Sequence, residues 1–263
     1  MDAASSGRPA VRTAALVAGA FLVSLALRIA VARDLLASDP LVQIPVLDDR
    51  EYIDMARAMA EGRAEPWFFA PLYPWLLSFT VRLLEQAMPL ACLTNAVLGA
   101  TATATAAAAG TAMHSRMAGV IAACLHGLAG VFLFHDALPG QESALALLHL
   151  VALLLAVRLT RDARPWTALL LGAVAGVAVL GRGTSAALVL LAVPAIAARV
   201  PRQRWRIAAL CAAGLASVLV PAAIRNASVA GDFSPLPWAR GPNLYAANGP
   251  DARATTSFYS SEL

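Results

Sequence analysis

The stretch APLYPWLLSFTVRLLEQAMP, residues 70–89, decides how the whole chain is read. Leu72, Leu76, Phe79 and Leu83 form an apolar stripe opposite Ser78, Arg82 and Gln86, with Trp75 beside it. That pattern predicts an amphipathic helix lying in a membrane interface, where tryptophan is favoured. Read instead as a membrane span, the stretch would add an eighth crossing and invert everything after it. Arginine placement argues against the second reading.

Of 263 residues, 59% are hydrophobic and 14% charged, against roughly 25% charged in soluble domains. Lipid is therefore the expected main solvent. All 20 basic residues are arginine, which with the alanine content reads as a genome bias. Cys92, Cys124 and Cys211 lie inside apolar runs without metal-type spacing and read as small buried hydrophobes.

A span needs about 20 mostly apolar residues. Seven candidates follow: Thr13–Val31, Leu90–Met113, Met117–Phe134, Ser143–Leu159, Trp166–Leu180, Thr184–Ala198 and Ile207–Ile224. The second contains TATATAAAAG and must be held by its neighbours. The fifth and sixth are short, separated by Gly181-Arg182-Gly183, and admit a re-entrant hairpin. Short loops carry Arg158, Arg161 and Arg164, then Arg199, Arg202, Arg204 and Arg206; Arg8, Arg12 and Arg116 complete the set. A cytoplasmic N-terminus puts all of them inside. Ala30-Val31-Ala32 also resembles a signal-peptide cleavage site, though the apolar stretch before it is long for one.

The expected architecture is all-α, a polytopic membrane bundle of about seven helices with a long helical first extracytoplasmic loop. Residues 1–12 form the cytoplasmic N-terminus, 13–224 the transmembrane domain including the loop 34–89, and 225–263 the start of a second outer loop.

Four outer segments distant in sequence then meet: the loop from Arg33 to Pro89, HDALPGQE from His135 to Glu142, the turn around Arg182, and the tail from Arg225. In the first loop, Tyr52, Met55, Ala56 and Met59 share one helical face, while Arg50, Asp54, Arg57 and Glu61 share another; Gly62 is a C-cap candidate. Charge in a membrane protein is expensive, so Asp48 and Asp49 at the mouth of a bundle are a functional hypothesis. Capping a helix that starts near Arg50 is the equally weighted structural alternative. Arg182 either snorkels or presents a planar donor fork to a phosphate. Asp136 and Glu142 sit at outer span ends, and His135 beside Asp136 is thin support for a metal. His126 and His149 read as packed residues. The triplet Asn226-Ala227-Ser228 fits a glycosylation sequon but carries no weight alone.

At these residues the chain resembles the GT-C membrane glycosyltransferases, in particular the bacterial relatives of the protein O-mannosyltransferases and of the lipid A aminoarabinose transferase. Their pattern of Asp, then Tyr four residues on, then an alanine-rich helix ending in Gly is matched by Asp48, Tyr52 and AMAEG. Pro71-Leu72-Tyr73-Pro74, Glu142, Gly176 with Leu180 and Arg182, and Arg225-Asn226 follow in order. A final stretch is similar at Gly241, Asn243, Leu244, Tyr245 and Asn248. Asp49 departs from the family, where a neutral neighbour is commoner. Members usually continue through further spans, so this chain is expected to be an N-terminal portion.

The resemblance implies an enzyme of the bacterial inner (plasma) membrane, an inverting glycosyltransferase using a polyprenyl-phosphate-linked sugar donor. The acceptor is a hydroxyl on protein, lipid or glycan, and nucleic acid is not expected as a partner. Asp48 is the expected base, with Asp49 as its substitute. Arg182 is the candidate for the donor phosphate, and Glu142 or Asp136 for acceptor positioning or a metal. Tyr52, Tyr73, Arg225, Asn243, Tyr245 and Asn248 are further candidates. A divalent metal ion is an optional cofactor. A transporter of lipid-linked sugars and a non-catalytic membrane subunit are the rival readings.

Overall fold

The computed structural model describes residues 8–44, 48–81 and 87–237 and the single position 245. Among the described residues it is all-helical. Helix α1 spans Arg8–Ser38 and is followed by one turn, α2, at Pro40–Gln43. Helices α3 (Asp48–Ala60) and α4 (Leu72–Val81) come next, ahead of α5 (Ala87–Met113). Then come α6 (Arg116–Leu128), α7 (Gly130–Asp136), α8 (Glu142–Arg161), α9 (Pro165–Gly181), α10 (Ala186–Arg199) and α11 (Arg204–Ala230).

Helices thus stand at all seven places where apolar runs predict spans. Four are long and apolar enough to cross a membrane: Val11–Ser38, Met88–Met113, Glu142–Arg161 and Pro201–Ala230. The pair α6–α7, bent by 56°, makes a fifth if counted as one crossing. Helices α9 and α10 are apolar but shorter, with a 3-10 turn at Gly183–Ser185 between them.

Close approach through small residues holds the bundle together, as expected where lipid removes the hydrophobic drive between helices. Gly172 and Gly176 on α9 face α11 so closely that a Cβ at either would press on the Cys211 carbonyl or on Val218. Gly214 on α11 returns the contact against the Leu169 carbonyl. The core at that end joins Leu155 and Leu159 of α8, Leu171 of α9, and Ile207 and Cys211 of α11. The alanine-rich α5 is held in the same manner. Its Gly110 meets the Ala118 backbone of α6, and Ala96, Ala100 and Ala107 are wholly buried.

Chain direction sorts the charges. Helix α8 begins at Glu142 and ends with Arg158 and Arg161, and the Arg161 guanidinium donates to the Ala112 carbonyl at the end of α5. Arg116 opens α6, Arg164 precedes α9, Arg199 ends α10 and Arg204 opens α11. At the other end of the bundle Gly181 packs against Leu145 and Leu72, which brings together the start of α8, the end of α9 and the start of α4. Arginine-rich turns and candidate site residues therefore occupy opposite ends.

Helix α4 turns one side to the protein and the other outward. Its buried side is Leu72, Tyr73, Pro74, Leu77 and Ser78, while Trp75 and Phe79 are exposed and stack edge-on at 4.8 Å. The helix faces α3 with Tyr73 and Leu77. Ser78 lies on that buried side because its hydroxyl donates to the Trp75 carbonyl at 2.7 Å, satisfying itself locally. Arg82, Leu83 and Gln86 lie outside the described residues.

Candidate active site at one end of the bundle

Helix α3 carries the aspartates in its first turn, together with Glu51, where the helix dipole favours negative charge. Asp48 opens the described part of the helix and Asp49 follows it in the first turn. Arg50–Asp54 and Arg57–Asp54 pairs at 3.6 and 3.4 Å run along the solvent face. Gly62 takes φ +74°, and the Arg63 amide bonds the Ala58 carbonyl at 2.9 Å, closing the helix as expected of a glycine C-cap. Tyr52 faces inward and meets Tyr73 edge-on at 5.4 Å and Phe69 at 5.5 Å. These rings set the orientation of the acidic turn.

Asp48 is exposed and Asp49 half-buried. Burial, then the charges of Asp48 and Glu142, push the Asp49 carboxyl up to about 6. Burial followed by Glu142 and Asp48 likewise pushes the Tyr52 hydroxyl up to about 12, with Arg182 acting in the opposite sense. Arg182 donates to Glu142 at 3.1 Å across 40 residues of sequence. Asp48, Asp49, Tyr52, Glu142 and Arg182 are thus within electrostatic reach of one another at one end of the bundle. The cluster holds three carboxylates and one guanidinium, so its excess negative charge adds to the effect of burial in keeping Asp49 basic.

The remaining candidates are placed elsewhere. Asp136 is buried and bonded to Arg28 of α1 at 2.5 Å and to the Ser143 hydroxyl at 2.5 Å. It is thereby tied to α1 and to the residue after Glu142. Tyr73 is wholly buried, with its hydroxyl beside Asn95 and Gly140 but no hydrogen bond of good geometry. Arg225 stacks on the Trp67 ring at 4.3 Å and donates to the Glu65 carbonyl at 2.7 Å. Tyr245 is exposed, and Asn243 and Asn248 lie outside the described residues. Among the described residues no three His, Cys, Asp or Glu side chains gather in the manner of a metal site.

Residues that sequence reasoning passed over also matter. Arg28 is wholly buried, bonded to Asp136 and to Ser24, and Ser24 bonds Thr103, which reaches His126 at 3.0 Å. A lone arginine inside the first apolar run was the available signal.

Two grooves open on the bundle, of which the second is walled by Glu142 and Arg182 of the acidic cluster. The first, about 750 Å³, lies between the α3–α4 connection, α9 and α11, with Arg63, Trp67, Trp75 and Arg225 among its walls. The second, about 760 Å³, lies between the α6–α7 bend, α8 and α10, with Glu142 and Arg182 in its wall. Gly181, against Leu72 on one side and Leu145 on the other, sits in the partition between them. No family model, curated protein or solved structure matches the chain.

Proposed function

We propose that the protein is a membrane glycosyltransferase, similar to the N-terminal portion of the GT-C enzymes, that moves a sugar from a polyprenyl-phosphate donor to an acceptor hydroxyl on the extracytoplasmic face of a bacterial inner membrane. In this reading the seven apolar helical segments, α6 with α7 counted as one, cross the bilayer, the N-terminus is cytoplasmic, and α3 with α4 forms the first outer loop.

One observation carries the proposal: Arg182, between α9 and the 3-10 turn, pairs with Glu142 at the start of α8, and Glu142 acts electrostatically on Asp49 in the first turn of α3, at the end of the bundle opposite its arginine-rich turns. The chemistry suits them. Polyprenyl phosphate leaves as a stabilised anion, so a single general base is the main requirement. A carboxyl near 6 is ionised at neutral pH yet basic enough to accept a hydroxyl proton, and this favours Asp49 over Asp48. Arg182 then meets the charge developing on the phosphate. Its partner Glu142 is partly exposed, and such pairs are worth about 1 kcal/mol or less, so a phosphate displaces it readily. The first groove, with exposed Trp75 at its border and Arg63 and Arg225 in its walls, is assigned to the polyprenyl chain.

The test uses the whole chain in phosphatidylcholine nanodiscs with a radiolabelled polyprenyl-phosphate hexose and a membrane extract as acceptor source. Transfer with release of polyprenyl phosphate is expected, and Asp49→Asn should lower it by about 10²–10⁴-fold while leaving donor binding intact. An unaltered rate in that variant removes Asp49 from the chemistry. Movement of intact donor across the bilayer, with no release, would mark a carrier.

A further inference from the structure

The two ends of the bundle treat their arginines differently. At the acidic end Arg50, Arg57, Arg63 and Arg182 each pair with a carboxylate. At the other end Arg199, Arg202, Arg204 and Arg206 fall within the turn from α10 to α11 and its borders, and all four are exposed. Among the described residues none of the four has a carboxylate partner. Asp162, the acid that ends α8, is held by Arg164 at 2.5 Å. Arg204 lies over the Trp205 ring, 5.4 Å from its centre, so its charge too is left without an anion.

Two tryptophans fix the depth of these charges. Helices α9 and α11 run parallel, since Gly172 meets Cys211 and Gly176 meets Leu215 and Val218. Trp166 and Trp205 each precede the Gly172–Cys211 contact by six residues. At about 1.5 Å rise per residue both stand about 9 Å from it, at one level. Trp166 is 53% and Trp205 76% exposed, and inward of them Leu169 and Leu170 of α9 and Leu190 and Leu191 of α10 are exposed as well. Along the axis the order is leucine, tryptophan, arginine, which is the order of hydrocarbon, interface and head group in a bilayer. Arg204 and Arg206 flank Trp205 in sequence, so they are held at the level of lipid phosphates, short of the bulk solvent where a soluble polyanion would approach.

We infer that the α10–α11 turn, with Trp166 and Trp205, is a docking surface for anionic phospholipid head groups, which act there as structural partners and not as substrates. A guanidinium is weakly hydrated and meets phosphate oxygens through a planar fork. Each basic side chain near an anionic bilayer surface strengthens association about fivefold. Phosphatidylcholine, whose choline cancels its phosphate charge, lacks that attraction. A lipid held by Arg199 at the end of α10 and Arg204 at the start of α11 ties the two helices together at this end. The inference depends neither on the transferase reading nor on which compartment this end faces.

The test places the whole chain in nanodiscs of equal parts phosphatidylglycerol and phosphatidylcholine, then counts the lipids it retains by native mass spectrometry. Retained phosphatidylglycerol should exceed phosphatidylcholine about tenfold or more, and the excess should shrink in salt of about 1 M. Combining Arg199→Gln, Arg202→Gln, Arg204→Gln and Arg206→Gln should remove that excess. Arg50→Gln with Arg57→Gln, which takes charge from the opposite end, should preserve it. If the fourfold variant aggregates, Arg202→Gln with Arg206→Gln should still lower the ratio several-fold. Equal retention of the two lipids by the unaltered protein overturns the surface, as does a ratio that the glutamine variants leave unchanged. Equal loss in the Arg50–Arg57 control overturns its location. Glycerophosphoglycerol, the same head group without acyl chains, should not displace the lipid; displacement by it, or by transfer RNA, would make this a site for soluble anions and overturn the lipid assignment.

Discussion

At the scale of single residues, the acidic cluster is tuned by its own crowding. Asp49 is raised to about 6 by burial first, then by Asp48 and Glu142. A general base works in its ionised form, so kcat/KM should rise with pH and level off above that value. Asp48→Asn removes one of the charges that raise it, so the acidic limb should move to lower pH while the plateau falls modestly. A profile unmoved by the substitution would mean that Asp48 exerts no field on the base. The Arg28–Asp136 pair is a different case, because both partners are buried. Removing one member of such a pair costs about 3–5 kcal/mol, whereas replacing both with apolar groups is often neutral. Arg28→Met or Asp136→Leu alone should therefore lower the melting point in detergent, and the double variant should recover much of it. Transfer should not recover, because Asp136 anchors Ser143 beside Glu142. Full recovery of both would confine the pair to stability. This pairing was illegible in sequence because its partners lie 108 residues apart. The chemical types at Asp49, Glu142 and Arg182 were visible, but burial, which ranks Asp49 above Asp48, was not.

At the scale of elements, apolar run lengths and arginine positions foretold where helices occur, since both are local properties of the chain. Gly62 closing α3 was legible for the same reason. The break at Ala129 was not read: the run from Met117 to Phe134 has no proline, and the 56° bend falls between Gly127 and Gly130, with His126 stacked on Phe132 at 4.4 Å across it. Which side of α4 packs inward was not legible, because hydropathy alone cannot tell a protein neighbour from a lipid one. The tightest contact between long helices is α9 on α11, and there a glycine decides the distance. Gly172→Val would drive a side chain into the Cys211 carbonyl, and overpacking of this kind costs about 1–3 kcal/mol. Thermal unfolding followed by size-exclusion in detergent should show a clear drop for Gly172→Val. Gly130→Ala, with open space around it, should leave the value near wild type. Equal tolerance at both positions would mean that α9 and α11 do not pack as described.

At the scale of the whole molecule, the proposed function rests on polarity along the bundle axis. The ends marked by Arg161, Arg164, Arg199 and Arg204 and by Glu142, Arg182 and Arg63 are opposite. In the proposed orientation, which follows the positive-inside tendency, the acidic cluster lies outside, on the side assigned above to the donor sugar. A pair of single-cysteine variants in a background lacking Cys92, Cys124 and Cys211 tests this directly. Arg63→Cys reports on the site end, and Arg202→Cys on the turn between α10 and α11, where both side chains are exposed. A membrane-impermeant maleimide applied to spheroplasts should label position 63 at once and position 202 only after permeabilisation. Arg63 sits in a wall of the first groove, so the same label should also weaken donor binding, whereas labelling at 202 should not. Reversed labelling would turn the acidic cluster toward the cytosol, where the arginine distribution does not place it, and the proposal of an extracytoplasmic transferase would fail with it.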